Sequence, residues 1–274
     1  MFQKMIKMNT YRLYKGAWIG IDESMEQQLT LRECKSLLNQ GGVMVRNVYN
    51  FDVKRETSFW FCIKDTFGGI EELSSTARRY VRRALKFYDV IKISGDTLLN
   101  IGYPIYVSAQ KSYKVKCDVI PYEDFVSLIT GYINDGDKEF WGVKSKETGD
   151  FVALSINTIK QNSCEYNTLK CKPEALQDGT QPYYGLIYEM NRYYLEESRL
   201  SYVNDGARTI TNHSNIQNFL QQNFKFRKAY CDIRIVYRWW FGLAVKILYP
   251  FRKFINNVKV RAILNMEAMQ RDEI

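Results

Sequence analysis

The sequence predicts an α/β chain of the α+β kind, built as two comparable halves with a basic, aromatic tail. Three observations carry this. Short segments with two-residue alternation and longer segments with helical spacing intermingle along the whole length. Turn residues separate them, and no low-complexity linker divides the chain. Hydrophobic residues make up 46% and charged residues 25%, the balance of an ordinary globular protein.

In the first half, Thr30-Leu31-Arg32-Glu33 matches a capping box that opens a helix ending before Gly41-Gly42. Val43–Val48 and Ser58–Ile63 read as strands. Glu71–Lys86 reads as a helix and Val90–Ile93 as a strand. Asp96–Tyr113 reads as a helix kinked at Pro104. In the second half, Pro121 precedes a helix over Tyr122–Ile133. Phe140–Val143, Phe151–Ile159 and Cys164–Leu169 then read as a meander of strands. A loop, Lys172–Gln181, leads to a helix over Tyr184–Glu197 with apolar residues at Leu186, Met190, Tyr193 and Tyr194. A strand (Leu200–Asn204), a turn (Asp205–Arg208), a helix (Asn215–Asn223) and a strand (Lys225–Tyr237) follow. The expected boundaries are 1–118, 119–237 and 238–274. The shared order of strands, helix and strand fits either an internal duplication or two unrelated pieces.

A chain of 274 residues allows one large domain or two smaller ones. The six cysteines form no CxxC pair and there is one histidine, so no zinc site or other metal is expected. Cysteines in apolar runs such as Trp60-Phe61-Cys62 read as small buried hydrophobes in a reducing cytoplasm. Lys4, Lys7, Arg12 and Lys15 interrupt the amino-terminal segment, which excludes a secretory h-region. The net charge of +9 is uneven. Residues 1–118 hold 19 basic and 12 acidic residues (+7), 119–237 hold 13 and 15 (−2), and 238–274 hold 7 and 3 (+4). A general polyanion binder spreads its charge over the binding face more evenly.

Two segments resemble a known family. One is Arg78-Arg79-Tyr80-Val81-Arg82-Arg83-Ala84-Leu85-Lys86 followed by Tyr88-Asp89-Val90. The other is the helix to Glu197 followed by Tyr202-Val203-Asn204-Asp205-Gly206, with Asn215–Ala229 closing the core. Together they resemble the FemAB-like branch of the GNAT acyltransferases, which has two GNAT-like halves. The resemblance covers roughly residues 40 to 237. It implies a GNAT-like mixed twisted sheet flanked by helices, and a cleft between two splayed parallel strands, Cys164–Leu169 and Leu200–Asn204. It implies an acyl donor, acyl-CoA or aminoacyl-tRNA. The donor's phosphates would meet Gln177, Gly179, Thr180 and Gln181 before the next helix, where free N–H groups favour anions. The usual Gln/Arg-x-x-Gly-x-Gly/Ala pattern is missing and Asp178 stands beside the site. FemAB-like proteins commonly lack that loop and take aminoacyl-tRNA.

Acyl transfer needs a base for the attacking group and donors for the oxyanion. The catalytic candidates are His213, whose ordinary pKa is near neutral, and Asp205 at a strand's end. Strand N–H groups of Cys164–Leu169 would hold the oxyanion. The Thr211–Asn215 segment also reads as a helix cap, with Ser214 as N-cap, or as a surface site. Arg208, Asn215, Glu165 and Tyr184 are candidate substrate contacts, or parts of a turn and a core. Arg78, Arg79, Arg82 and Arg83 form two basic rows four residues apart. These bind an anion, or they are a solvated face paired with Glu71 and Glu72.

In the tail, Trp239–Val245 is apolar but too short to span a bilayer. Phe251, Phe254, Ile255 and Val258 have helical spacing among Arg252, Lys253, Lys259 and Arg261. This fits an interfacial helix on an anionic membrane, or packing on the core or on a second subunit. The expected activity is transfer of an acyl or aminoacyl group to an amine of a cell-surface glycan or peptidoglycan-type precursor. The location implied is cytoplasmic, at the membrane's inner face. The competing readings are a non-catalytic module held on a membrane or RNA, and a structural partner whose tail makes the oligomer contact.

Overall fold

The computed structural model describes residues 10–113, 118–208 and 215–273. Cys117, His213 and Ser214 lie outside the described residues. Two compact units divide the described residues: 10–61, 207–208 and 228–273 form one, and 62–113, 118–206 and 215–227 the other.

The first unit contains β1 (Tyr11–Tyr14), β2 (Ala17–Gly20), α1 (Leu31–Asn39) and β3 (Met44–Val53). Late in the chain it adds β10 (Arg227–Tyr237), α8 (Trp239–Leu248) and α9 (Val258–Gln270). Sequence reasoning assigns nothing before Thr30, yet β1 and β2 form an antiparallel hairpin there. Its turn, Lys15-Gly16, has φ of 48° and 82°, the left-handed pair that matches a hairpin's twist. The capping box is present: Glu33 N donates to Thr30 Oγ1 at 3.3 Å, and Thr30 N donates to Glu33 Oε2 at 2.7 Å. β2 and β3 run parallel, and β3 and β10 antiparallel. Leu29, Cys34, Leu37, Leu38 and Val45 form the core under α1.

The tail differs from expectation. No helix runs through Phe251, Phe254, Ile255 and Val258. Pro250 sits in a short 3-10 turn, Tyr249–Phe251. Asn257 restarts the helix, its Oδ1 accepting from Lys259 N at 3.0 Å and Val260 N at 3.1 Å. Val245 and Tyr249 pack on Leu264 and Ala268 within their own unit. The guanidiniums of Arg252 and Arg271 lie 4.3 and 4.1 Å from the centroid of the Tyr249 ring. Tyr249 is thus held by cation–π contacts from two arginines.

β4 (Phe59–Lys64) carries the chain into the second unit. There follow α2 (Ser75–Phe87), β5 (Tyr88–Ile93), α3 (Gly95–Ser112), α4 (Tyr122–Asp135), β6 (Lys138–Ser145) and β7 (Phe151–Ile159). Then come β8 (Ser163–Cys171), the short α5 (Pro173–Gln177), α6 (Pro182–Asn191), β9 (Tyr202–Ala207) and α7 (Ile216–Phe224). The strands β9-β8-β7-β6-β5 lie in that order, with β8 and β9 parallel and the rest antiparallel, a mixed sheet as expected. The basic helix starts at Ser75 rather than Glu71, because Ser74 caps it by accepting from Ala77 N at 3.2 Å. α3 runs through Pro104.

Alternation along β7 builds two layers. Leu154 and Ile156 join Leu98, Ile105, Phe125, Ile129 and Phe140 under α3 and α4. Ser155 and Asn157 face the other way, where Asn157 Nδ2 donates to the Tyr194 hydroxyl at 3.2 Å. That hydroxyl also accepts from Trp141 Nε1 at 2.8 Å and donates to Glu139 Oε2 at 2.9 Å. Tyr194 lies in a π-turn, Arg192–Glu197, that ends the helix expected to run unbroken to Glu197. A Cβ on Gly185 would come within 3.0 Å of Ala84, so this glycine permits the close approach of α6 to α2.

Asn47 on β3 is fully buried. It donates to Tyr11 Oη at 2.7 Å and Gln27 O at 2.9 Å, and accepts from Leu29 N at 2.8 Å. Asn47→Ala strands these groups and is expected to destabilise the first unit by about 2–4 kcal/mol. A urea midpoint unchanged from wild type would contradict this account of the network.

Candidate functional site

β8 and β9 pair at three positions only: Ser163 with Tyr202, Cys164 with Val203, and Glu165 with Asn204. Both strands continue, β8 to Cys171 and β9 to Ala207, without further pairing between them. On its other edge β8 stays paired with β7, but Ile156 opposes Thr168 while Asn157 opposes Tyr166. Asn167 is therefore an extra residue, a bulge. A bulge bends its strand and sharpens its twist. Here it turns β8 away from β9 directly after Glu165.

A cleft of about 600 Å³ opens at the divergence. Tyr166–Lys170 of β8 and Asp205 of β9 form its two walls, and Tyr113, Tyr183, Asn215 and Phe219 complete it. N–H groups of β8 past Glu165 that point away from β7 have no β9 partner among the described residues. Lys170 is held at the cleft by Gln110 Oε1 and Tyr113 Oη, both accepting at 2.9 Å. The Tyr166 hydroxyl donates to Asn191 Oδ1 at 2.9 Å, which fixes β8 to α6.

Asp205 was expected in a turn. It lies within β9, one residue past the last paired position. Asn204 Oδ1 accepts from Gly206 N at 2.7 Å, and Gly206 has φ of 86°. Burial, and then the Glu165 carboxylate, raises the Asp205 pKa from 3.8 to about 7. Glu165 is itself paired with Lys160 Nζ at 2.8 Å. A carboxylate poised near neutrality can accept a proton and release it again. The Cys62 thiol is pushed up to about 12 by burial and then by Asp205, and burial also raises Cys164 well above its ordinary value. Neither thiol offers a thiolate nucleophile.

The structure thus gathers Asp205 and Asn215 on the cleft, with Glu165 acting on Asp205. It does not bring Tyr184 there. That ring is buried against Tyr80, Phe219 and Phe224, one layer behind the wall. Arg208 belongs to the first unit, where its Nη1 donates to Ser58 O at 2.8 Å. The N-cap of α7 is Asn215, which makes no side-chain cap bond. His213 lies outside the described residues.

The loop expected to hold the donor's phosphates lies elsewhere in the second unit. Thr180 lines a separate cavity of about 650 Å³ with Asp178, Lys86, Lys146 and Lys172. The Thr180 amide, which a phosphate would use, donates to Asp178 Oδ1 at 2.7 Å. Gln177 is exposed, and Gln181 is the left-handed N-cap of α6 at φ 65°. Of the four arginines, Arg78 and Arg82 pair with Glu71 at 2.5 and 3.6 Å. Glu72 instead holds the buried Lys64 at 2.7 Å. Among the described residues Arg79 and Arg83 show no carboxylate partner. Arg79 lies 5.2 Å from the Tyr80 ring centroid, and Arg83 Nη2 stands 3.6 Å from where a Cβ on Gly179 would be.

Sequence reasoning missed Tyr166, Lys170, Tyr113 and Phe219. Tyr166 and Thr168 fall on the predicted strand Cys164–Leu169 and Lys170 just past its end, but their exposure to a cleft depends on where pairing with β9 stops. Among the described residues no group of three or more His, Cys, Asp or Glu is placed to hold a metal ion.

No protein-family model matches the chain, and neither does any curated protein. Solved structures do. FemX aligns at a TM-score of 0.51 and 12% identity, covering 73% of this chain; this chain spans 65% of FemX. The C-terminal (DUF2156) domain of a putative lysylphosphatidylglycerol synthetase from Agrobacterium fabrum aligns at 0.50 and 8% identity, covering 86% of this chain and 82% of that one. Spermidine/spermine N-acetyltransferase SpeG from Vibrio cholerae overlaps 43% of this chain and 66% of its own length, at 0.33 and 14% identity. The FemAB-like, GNAT-like resemblance holds at the level of the fold, through the first two.

Asp205 binds its proton more tightly in the folded chain than in the unfolded one, since its pKa rises from 3.8 to about 7. Its contribution to stability is therefore most favourable below about pH 4 and is lost as pH rises toward about 7. Asp205→Asn removes that loss. The expected result in thermal melts is a rise of at least about 2 °C at pH 8 and no change at pH 4. A variant less stable than wild type at pH 8 would show that the carboxylate is well solvated or paired.

Proposed function

We propose that the chain is an acyltransferase that moves an acyl or aminoacyl group onto an amine of a cell-surface glycan or peptidoglycan-type precursor. One observation carries the reading: the Asp205 carboxyl group lines a cleft that opens where two parallel strands stop pairing after Glu165 and Asn204. Acyl transfer to an amine uses both features.

The acceptor amine, unprotonated, attacks the donor's ester or thioester carbonyl. A C–N bond forms as the C–O or C–S bond breaks. Those N–H groups of Tyr166–Lys170 that point away from β7 face the developing oxyanion, where fixed donors aimed at the growing charge lower the barrier. The Asp205 carboxylate takes the proton from the attacking nitrogen, directly or through one water, and the leaving oxygen or sulfur is protonated in turn. Burial, and then Glu165, keeps the Asp205 pKa high enough for this exchange. Asn215 and Lys170 orient the acceptor and its polar groups. His213 is the other candidate base.

Two observations favour aminoacyl-tRNA over acyl-CoA as donor. Asp178 occupies the loop amide that a pyrophosphate would use. Arg79 and Arg83 leave cationic groups on α2 that suit a polyanion. The fold is shared with FemX and with a domain named for lysylphosphatidylglycerol, an aminoacylated lipid, which supports an envelope acceptor. We place the reaction in the cytoplasm at the inner face of the membrane, within a chain of two GNAT-like halves (1–118 and 119–237) and a tail.

With aminoacyl-tRNA and a precursor amine, product mass spectrometry is expected to detect transfer. Asp205→Asn should lower kcat by about 10²–10⁴-fold with little change in KM. Wild-type kcat should rise with pH and level off above about 7, since the base works only when ionised. Full turnover in Asp205→Asn together with loss in His213→Ala would move the role to the histidine. Full turnover in both variants would leave a binding module as the better reading. Arg79→Glu with Arg83→Glu should raise KM for the tRNA donor at least about tenfold, and more steeply in salt. An unchanged KM would remove the argument for that donor.

A further inference from the structure

Residues 238–266 hold six basic residues, Arg238, Lys246, Arg252, Lys253, Lys259 and Arg261, and no acidic one. Within this stretch α8 carries two apolar rows. Phe241, Val245 and Tyr249, four residues apart, pack inward on α9. Trp239, Leu243 and Ile247 are also four apart. They lie two positions from the first row, about 200° around the helix. They face solvent, being 82%, 53% and 59% exposed. Phe251 and Phe254 extend this outer row past the helix at 58% and 81% exposure. A surface helix normally presents a polar outer face. An aligned row of large apolar side chains is the mark of an interaction surface.

We propose that this outer face of α8, with the turn that follows it, docks on the anionic surface of a lipid bilayer. Charge chooses the occupant. Lys246 on α8 and Lys253 in the turn after it are exposed in the same stretch as the apolar row. Arg252 is paired with Glu273 at 3.0 Å, but a second copy docking symmetrically would bring Lys246 and Lys253 against themselves, with no carboxylate between 238 and 266 to answer them. An anionic leaflet answers all of these charges at once, and Trp and Phe rings settle at headgroup depth. The attachment is peripheral, since no described helix is long and apolar enough to cross a membrane. The inference deepens the envelope reading, on which it rests only for its purpose: it would hold the enzyme beside a lipid-linked acceptor.

The test is flotation of the full chain with vesicles of phosphatidylcholine alone or with added phosphatidylglycerol. The protein should float with the anionic vesicles, shift its tryptophan emission to the blue, and be released by salt. Trp239→Ser with Phe254→Ser should weaken binding at least about tenfold. Lys246→Glu and Lys253→Glu should each weaken it roughly fivefold or more. Far-UV circular dichroism and Tm should match wild type in all of these. Asp205→Asn should float normally, which separates this proposal from the catalytic one. Absence of flotation with anionic vesicles would overturn the proposal, even if turnover on a soluble acceptor is intact. So would flotation indifferent to these variants, or a concentration-dependent dimer abolished by Trp239→Ser with Phe254→Ser.

Discussion

The early end of pairing between β8 and β9 governs the second unit. Two parallel neighbours that stay hydrogen-bonded leave no room for a substrate. These two pair from Ser163 to Glu165 and then part, because Asn167 inserts an extra residue on the β7 side. Three consequences follow from that one irregularity. A cleft opens, strand amides are released from the ladder, and Asp205 meets the cavity instead of a facing strand. The carboxyl's raised pKa is the electrostatic result of that placement.

Diverging strands must be held apart, and the surrounding packing does this from both sides. β8 is tied to β7 from Cys164 to Cys171, and Tyr166 is anchored on Asn191. Beneath it the Tyr194 hydroxyl joins Glu139, Trp141 and Asn157, so that the sheet and the π-turn form one hydrogen-bonded layer. On the other wall Phe219 rests on Tyr184, with ring centroids 5.0 Å apart. Tyr184 is therefore a support for the wall. A hydrogen-bonded layer of this kind fixes position well, because an alternative packing leaves the Tyr194 hydroxyl or the Asn157 amide unpaired. The π-turn that supplies Tyr194 fits the tendency of such turns to occur near functional sites.

Much of this was legible in the residues. The Thr30–Glu33 box, the Pro121 start and the turns between Phe140 and Cys164 are local signals, and each marks a true boundary. The parallel pair β8 and β9 came from a family resemblance, and Asp205 from its place after a strand. What stayed hidden depends on distant partners. The Asp205 shift arises from burial and from Glu165 on a neighbouring strand. The extent of the ladder depends on a bulge that no two-residue alternation reveals. The Lys15-Gly16 hairpin had a turn signal, but its four-residue strands are too short to stand out in periodicity. In the tail, helical spacing through Phe251 and Val258 was real, yet Pro250 and the Asn257 cap break the helix between them. The Gln177–Gln181 loop reads as a phosphate cradle only by resemblance; the Asp178 carboxylate takes its Thr180 amide at 2.7 Å.

The claim at the centre is that strand divergence leaves one carboxyl group poorly solvated and beside a second carboxylate. The direct measurement is a carbon-13 NMR titration of the Asp205 side-chain carboxyl in the intact protein. The account predicts a midpoint near 7 that falls when Glu165 is replaced by Gln. A midpoint near the ordinary 3.8, unmoved by that replacement, would contradict it.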